Sequence, residues 1–235
     1  MIVGSGLLAQ AFAGDWAHRN DVCIFASGVS DSGCVDPERF ARERALLERA
    51  LSDHADTDAF VYFGTCSANA PEVRWSAYVH HKVEMERLVM AHRRGLVLRL
   101  PQVAGIGGNP ATLLNRLRDH VLRGTPFELW SDARRALIDV RDVVELTGAF
   151  IGTRTLRGIR ADIAPPRRHG IEEIVAAIEE ASGRRARYTF VPKGHDEPSD
   201  PTLMLAVTAD AGARFDDGYL RRTVARHHRA AKESR

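Results

Sequence analysis

"MIVGSGLLAQAF", residues 1–12, is the stretch on which the fold turns. Ile2-Val3 reads as a short apolar strand, Gly4-Ser5-Gly6 as a turn, and a helix is expected from about Leu7. The small residues follow G-x-G-x-x-A, with Ala9 in the third position. In a strand–turn–helix unit each has a task. Gly4 permits the tight turn, Gly6 lets a diphosphate approach the backbone, and Ala9 lets the helix lie close on the strand. Amides at the helix start would then face the diphosphate. An ordinary strand–helix turn carries the same pattern, so the rest of the chain has to decide.

Outward from that turn, strands alternate with helices. "DVCIFASG" (21–28) is a continuous apolar run, as expected of a parallel strand covered on both faces. "DPERFARERALLERAL" follows, with Asp36 suited to cap a helix and Pro37 to its first position. "AFVYFGT" (59–65) is a third strand. A loop with Asn69 and Pro71 leads to a helix in "SAYVHHKVEMERL" (76–88). "GLVLRLPQVAG" is a strand from about Leu96, and "PATLLNRLRDHVLRG" a helix. "FELWSD" and "RALIDV" precede a helix from about Val140 to Ile151. This alternation predicts a doubly wound, Rossmann-like parallel α/β sheet over residues 1–155.

Past about residue 155 the texture changes, and residues 156–235 are expected to form a small α+β part. "IEEIVAAIEEASG" is an amphipathic helix ended by Gly183, "RRARYTFVP" a short strand, and "HDEPSDPTLM" a loop. "DGYLRRTVARHHRAAKESR" is a last basic helix expected to run out into solvent.

Bulk properties exclude several classes. The 235 residues are 44% hydrophobic and 27% charged, enough to bury a sizeable core. Thirty-three basic and 31 acidic residues give a net charge of +2, so no global field draws the chain to nucleic acid or membrane. No run approaches the roughly 18 apolar residues that span a bilayer. The first residues lack a basic leader and a cleavage site, so no signal peptide is expected. Cys23, Cys34 and Cys66 stand far apart, which points to reduced thiols in a cytoplasm. His80-His81 and His227-His228 lack ligand spacing and read as solvated helix residues rather than a metal site.

Taken together, "GSGLLA", "DVCIFASGVS", "FVYFGTCSA", "YVHHK", "LRLPQVAGIGG" and "RRALIDVRDVV" resemble, in order, the motifs of the extended short-chain dehydrogenase/reductases. That group includes nucleotide-sugar epimerases, dehydratases and reductases. The resemblance covers Ile2 to Ile151 best. It implies NAD or NADP as cofactor and a nucleotide sugar as substrate, and it makes the small part over residues 156–235 the substrate-binding one. It implies a homodimer joined through the Tyr78 helix. The cofactor would be held by Gly4, Gly6, Leu7, Leu8, Ala9, Ala26, Ser27, Gly28, Tyr78, Lys82, Pro101, Gln102 and Val103.

The chemistry explains the motif Tyr78-x-x-x-Lys82. Hydride transfer at a sugar carbon needs a proton to move on or off the sugar oxygen. A free tyrosine has a pKa of about 10, and a nearby cation lowers it. Lys82, at i+4, shares a helix face with Tyr78. The resemblance makes Tyr78 the acid/base, Lys82 the tuner and ribose anchor, and Thr65 the hydroxyl that orients the substrate, with Ser67 the runner-up. Ser67 and Arg135 fall on the substrate side, Arg135 toward the diphosphate. Arg134 is an equally charged neighbour, and an ion pair of Arg135 with Asp132 or Asp142 is the plainer alternative. Cys66 reads as a packed thiol.

Two departures matter. Val3 stands where the family has its first glycine, and few residues separate the first helix from "DVCIFASG". Either that run is the family's fourth strand, with the second and third lost, or it is the second, with Asp31 as the ribose acid. The succession "ASGVS", a Pro-started helix and "FVYFGT" favours the first. Where dehydratases carry two acids after the catalytic Thr, this chain has Cys66-Ser67, which favours epimerisation or ketosugar reduction.

Overall fold

The computed structural model describes residues 1–208 and 214–233, with side chains as far as residue 228. The chain runs through β1 (Ile2–Val3), α1 (Leu7–Phe12), β2 (Val22–Phe25), α2 (Pro37–Asp53), β3 (Ala59–Thr65), α3 (Ala77–Met90), β4 (Gly95–Leu100), β5 (Gln102–Ala104) and α4 (Leu113–Arg123). It continues through β6 (Phe127–Trp130), β7 (Arg134–Arg135), β8 (Leu137–Asp139), α5 (Val140–Gly152), β9 (Ile159–Asp162), β10 (His169–Gly170), α6 (Ile171–Ser182), β11 (Tyr188–Val191), α7 (Thr202–Val207) and α8 (Tyr219–Glu233).

Five parallel strands form the central sheet in the order β1-β2-β3-β4-β9. Alternate residues of each strand face opposite sides. Val22, Ile24, Val61, Leu96 and Leu98 meet Phe12 of α1 and Leu146 and Phe150 of α5. Cys23, Phe25, Phe60, Tyr62 and Val97 meet Leu47 of α2 and Met85 and Val89 of α3. Both faces are covered, which is why β2, β3 and β4 are buried throughout.

The strand order settles which strands are absent. A doubly wound sheet of order 3-2-1-4-5-6 reverses direction after its third strand. Here every step goes the same way, and β4 lies beside β3 rather than β1. So β2, β3 and β4 take the places of the fourth, fifth and sixth strands. β1 is left at an edge among the described residues. One consequence is topological. The β1–α1–β2 and β2–α2–β3 crossovers step in the same direction with their helices on opposite faces, so they have opposite hands.

A second apolar cluster joins Leu114, Leu117, Leu129 and Leu137 to Ile174, Ile178, Leu220 and Val224. It draws on both sides of residue 155, while β9 and Met204 of α7 belong to the central sheet and its core. Three local expectations change. α7 interrupts the loop expected over "HDEPSDPTLM". α8 packs on α6 through Leu220 and Val224 instead of running free in solvent. His81, His227 and His228 are buried, not solvated, because each lies on the inward face of its helix. The expected fraying at Ser234–Arg235 lies outside the described residues. No helix among the described residues is long and apolar enough to cross a membrane.

Candidate active site

A cavity of about 850 Å³ opens where β2, β3 and β4 end, the side of an open parallel sheet on which ligands bind. It brings together Gly6, Leu7 and Leu8 of the first turn, Ala26 and Gly28 after β2, and Thr65 and Ser67 at and just past the end of β3. Tyr78 and Lys82 of α3, Pro101, Gln102 and Val103 after β4, and Arg135 of β7 complete the set foreseen from sequence. Gly4, Ala9 and Ser27 do not line it. Gly4 has φ +133°, and a Cβ there would meet the Ala26 carbonyl oxygen at 2.5 Å. Gly6 is different, since a Cβ there would meet nothing within 4 Å. Backbone at Gly6 is therefore open to a diphosphate in the cavity.

Ser76 caps α3 by accepting from the Val79 amide at 3.4 Å. The helix then carries Tyr78 and Lys82 inward on one face, 8% and 3% exposed. Thr65 is the last residue of β3. Its hydroxyl donates to Ser67 Oγ at 3.2 Å, and it eases the ionisation of the Tyr78 phenol. Burial first, and then the Glu43 carboxylate, push the Tyr78 phenol well above its ordinary range, against the pull of Thr65. The phenol is thus a held proton rather than a ready base. This is the reverse of the lowering expected from Lys82: burial dominates, and Lys82's own partner adds to it.

That partner is Glu43 of α2, 2% exposed. Lys82 Nζ donates to its Oε1 at 3.2 Å and the Tyr62 hydroxyl to the same oxygen at 2.8 Å. The Val29 amide donates to Oε2 at 2.7 Å, and His81 Nε2 lies 3.0 Å from it. Burial alone would raise this carboxyl; Lys82, His81, Val29 and Tyr62 outweigh it and hold it at about 2. Lys82 Nζ also sits 4.5 Å from the centre of the Tyr62 ring. Gly28 leaves room for the group, since a Cβ there would stand 2.8 Å from Lys82 Nζ. Sequence reasoning passed over Glu43. Its signal was a carboxylate in register with Leu47 and Ala50 on the buried face of α2.

The cavity wall itself holds a second carboxylate that the sequence concealed, Glu197. The Ser67 hydroxyl donates to Glu197 Oε1, and Arg135 Nε lies 3.3 Å from Glu197 Oε2. Arg135 Nη1 donates to the carbonyls of Arg134 and His195 at 2.8 and 2.7 Å. Arg135 thus pairs with neither Asp132 nor Asp142. Asp142 instead binds Arg214 at 3.0 Å and accepts from the Tyr219 hydroxyl at 2.6 Å. Arg134 points outward, half exposed, and donates to the Arg168 carbonyl. Cys66 is buried, and burial keeps its thiol protonated.

The sequence signature of the NAD dependent epimerase/dehydratase family matches residues 18–155. The chain belongs to that family. Its matched span carries β2, β3, β4 and the Tyr78 helix and starts after the first glycine turn. No curated protein matches the sequence. Among solved structures, MoeE5 in complex with UDP-glucuronic acid and NAD is 21% identical, covering 92% of this chain and 80% of its own, with a TM-score of 0.74. The Thermus thermophilus UDP-glucose 4-epimerase complex with NAD is 19% identical over 95% of this chain and 81% of its own, TM-score 0.70. RMD from Pseudomonas aeruginosa complexed with NADPH is 16% identical over 96% and 87%, TM-score 0.71. At these identities the likeness is one of fold: a Rossmann-like α/β sheet.

Proposed function

We propose that the protein is an NAD(P)-dependent epimerase or reductase of a nucleotide-activated sugar, with Tyr78 as acid/base, Lys82 beside it and Thr65 orienting the substrate oxygen. The convergence of Tyr78, Lys82 and Thr65 on one cavity with the open backbone of Gly6 carries this reading. A bound nicotinamide would supply or accept the hydride. The chain's own residues do the rest. Tyr78, held protonated, donates to a carbonyl oxygen placed against Thr65. Leu100, Pro101 and Val103 give the site an apolar wall. Lys82 lies within the same pocket, where a ribose hydroxyl could reach it. The residues fit the nicotinamide end of the cofactor. For the adenosine ribose the usual acid closes a strand next to β1, and β1 is the sheet edge here.

Dimerisation through α3 and a cytoplasmic location belong to the same reading. The outer side of α3 carries His80, Glu84 and Arg87, and all three cysteines are free and buried. Light scattering that found only monomer would remove the dimer.

The edge position of β1 favours a second reading, a nucleotide-binding or scaffold protein without turnover. Calorimetric titration with NAD(H) and NADP(H) separates the two. Binding of either, together with loss of sugar-nucleotide turnover in Tyr78→Phe, supports the enzyme. Absence of binding by all four would leave the scaffold.

A further inference from the structure

We infer that Glu43 is the positioning residue of this site, a buried counter-ion that fixes the Lys82 ammonium and cancels its field at Tyr78. The inference deepens the reading of Tyr78 and Lys82 as the working pair and rests on it.

The geometry has three parts. First, the carboxylate is saturated. Tyr62 and Lys82 donate to Oε1, and Val29 donates to Oε2 with His81 beside it, all between 2.7 and 3.2 Å. The carboxylate therefore cannot swing away from Lys82 without abandoning three other contacts. Second, Lys82 has nowhere else to put its charge. It is 3% exposed, lies 4.5 Å from the centre of the Tyr62 ring, and would be crowded by any side chain at position 28. An ammonium so buried needs a fixed partner. Third, Tyr78 is surrounded mainly by negative charge. Glu43 on α2, Glu86 on α3 and Glu197 after β11 all oppose its ionisation, while Thr65 at the end of β3 favours it. Lys82 and His81 on α3 and Tyr62 on β3 meet Glu43 before they meet Tyr78.

A charged Lys82 with its partner in place presents almost a dipole to Tyr78, not a cation. Removing the carboxylate's charge while keeping its shape would take away a negative charge that opposes ionisation of Tyr78. A purely structural role for Glu43 would instead affect only the stability of the α2–α3 pair.

The test is alkaline titration of tyrosinate absorbance in wild type and Glu43→Gln, each compared with its Tyr78→Phe counterpart so that Tyr78 alone is read. Circular dichroism confirms folding. In Glu43→Gln the Tyr78 signal should begin about one pH unit lower than in wild type, because a like charge that opposes its ionisation is gone. Ionisation at the same or a higher pH overturns the proposal, and so does absence of a Tyr78 signal from both proteins up to alkaline unfolding. Should Glu43→Gln fail to fold, Glu43→Asp withdraws the carboxylate by one methylene, and a smaller shift in the same direction is expected. No shift in Glu43→Asp then overturns it. The titration needs no cofactor, so its outcome is separate from that of the NAD(P) calorimetry, which tests the hydride-transfer reading.

Discussion

Gly4→Ala and Gly6→Ala change the same turn by the same methyl group, and the structure separates their effects. Gly4 has φ +133°, a backbone region that L side chains rarely adopt. Holding alanine there costs about 1–3 kcal/mol. The new Cβ would also stand 2.5 Å from the Ala26 carbonyl oxygen and 2.7 Å from its carbon. Both are backbone atoms of the segment leaving β2, so no side chain can swing aside, and overpacking adds about 1–3 kcal/mol. The sum centres on about 4 kcal/mol, a large share of the roughly 5–15 kcal/mol that stabilises a typical domain. For a chain of this length each kcal/mol moves the melting midpoint by about 2–4 °C, so a fall of about 8–16 °C is expected. Gly6 has φ −78° and open space around it. Gly6→Ala should cost under about 1 kcal/mol, the scale of a changed helix cap. Its methyl group would project into the cavity, and NAD(P) affinity should fall about tenfold or more, roughly 1.4 kcal/mol. Thermal unfolding by circular dichroism and calorimetric titration read the two effects. A Gly4→Ala protein within about 1 kcal/mol of wild type would refute the reasoning.

Three further outcomes follow from buried charge and capping. Glu43 is held at about 2 rather than its reference 4.5; its stabilisation is complete above pH 4.5 and is lost as pH falls toward 2. The loss is on the order of 3 kcal/mol, so acid unfolding of Glu43→Gln should lack that part of the pH dependence. Glu86 is fully buried and accepts from Arg99 at 2.8 to 3.2 Å. Glu86→Ala should lose about 3–5 kcal/mol in urea unfolding by stranding Arg99, whereas Arg160→Ala, at a partly exposed partner of Glu86, should lose under about 1 kcal/mol. Asp36 accepts from the Glu38 amide at 2.9 Å as the cap of α2, and Asp36→Ala should lower stability by about 1 kcal/mol.

Much of the architecture was determined by the sequence alone, and for a local reason. Apolar runs of strand length, the Asp36-Pro37 helix start and the i,i+4 spacing of Tyr78 and Lys82 depend on residues a few bonds apart, where the chain's own geometry sets the outcome. The loss of two strands was also visible there as a distance too short to hold them, and the one-way order β1-β2-β3-β4-β9 agrees with it. What only the tertiary structure decided is the charge around Tyr78. Glu43 meets Lys82 across 39 residues, and Glu197 meets Ser67 across 130. No periodicity encodes such meetings, because they depend on how α2 packs on α3 and on where the segment after β11 returns to the sheet. The same holds for His81, His227 and His228, whose burial depends on the neighbour each helix face receives. The sequence could place a lysine beside a tyrosine. Whether that tyrosine keeps its proton is decided first by how deeply the fold buries it and then by a carboxylate brought in from another helix, because the field at a buried group is the sum over everything packed around it.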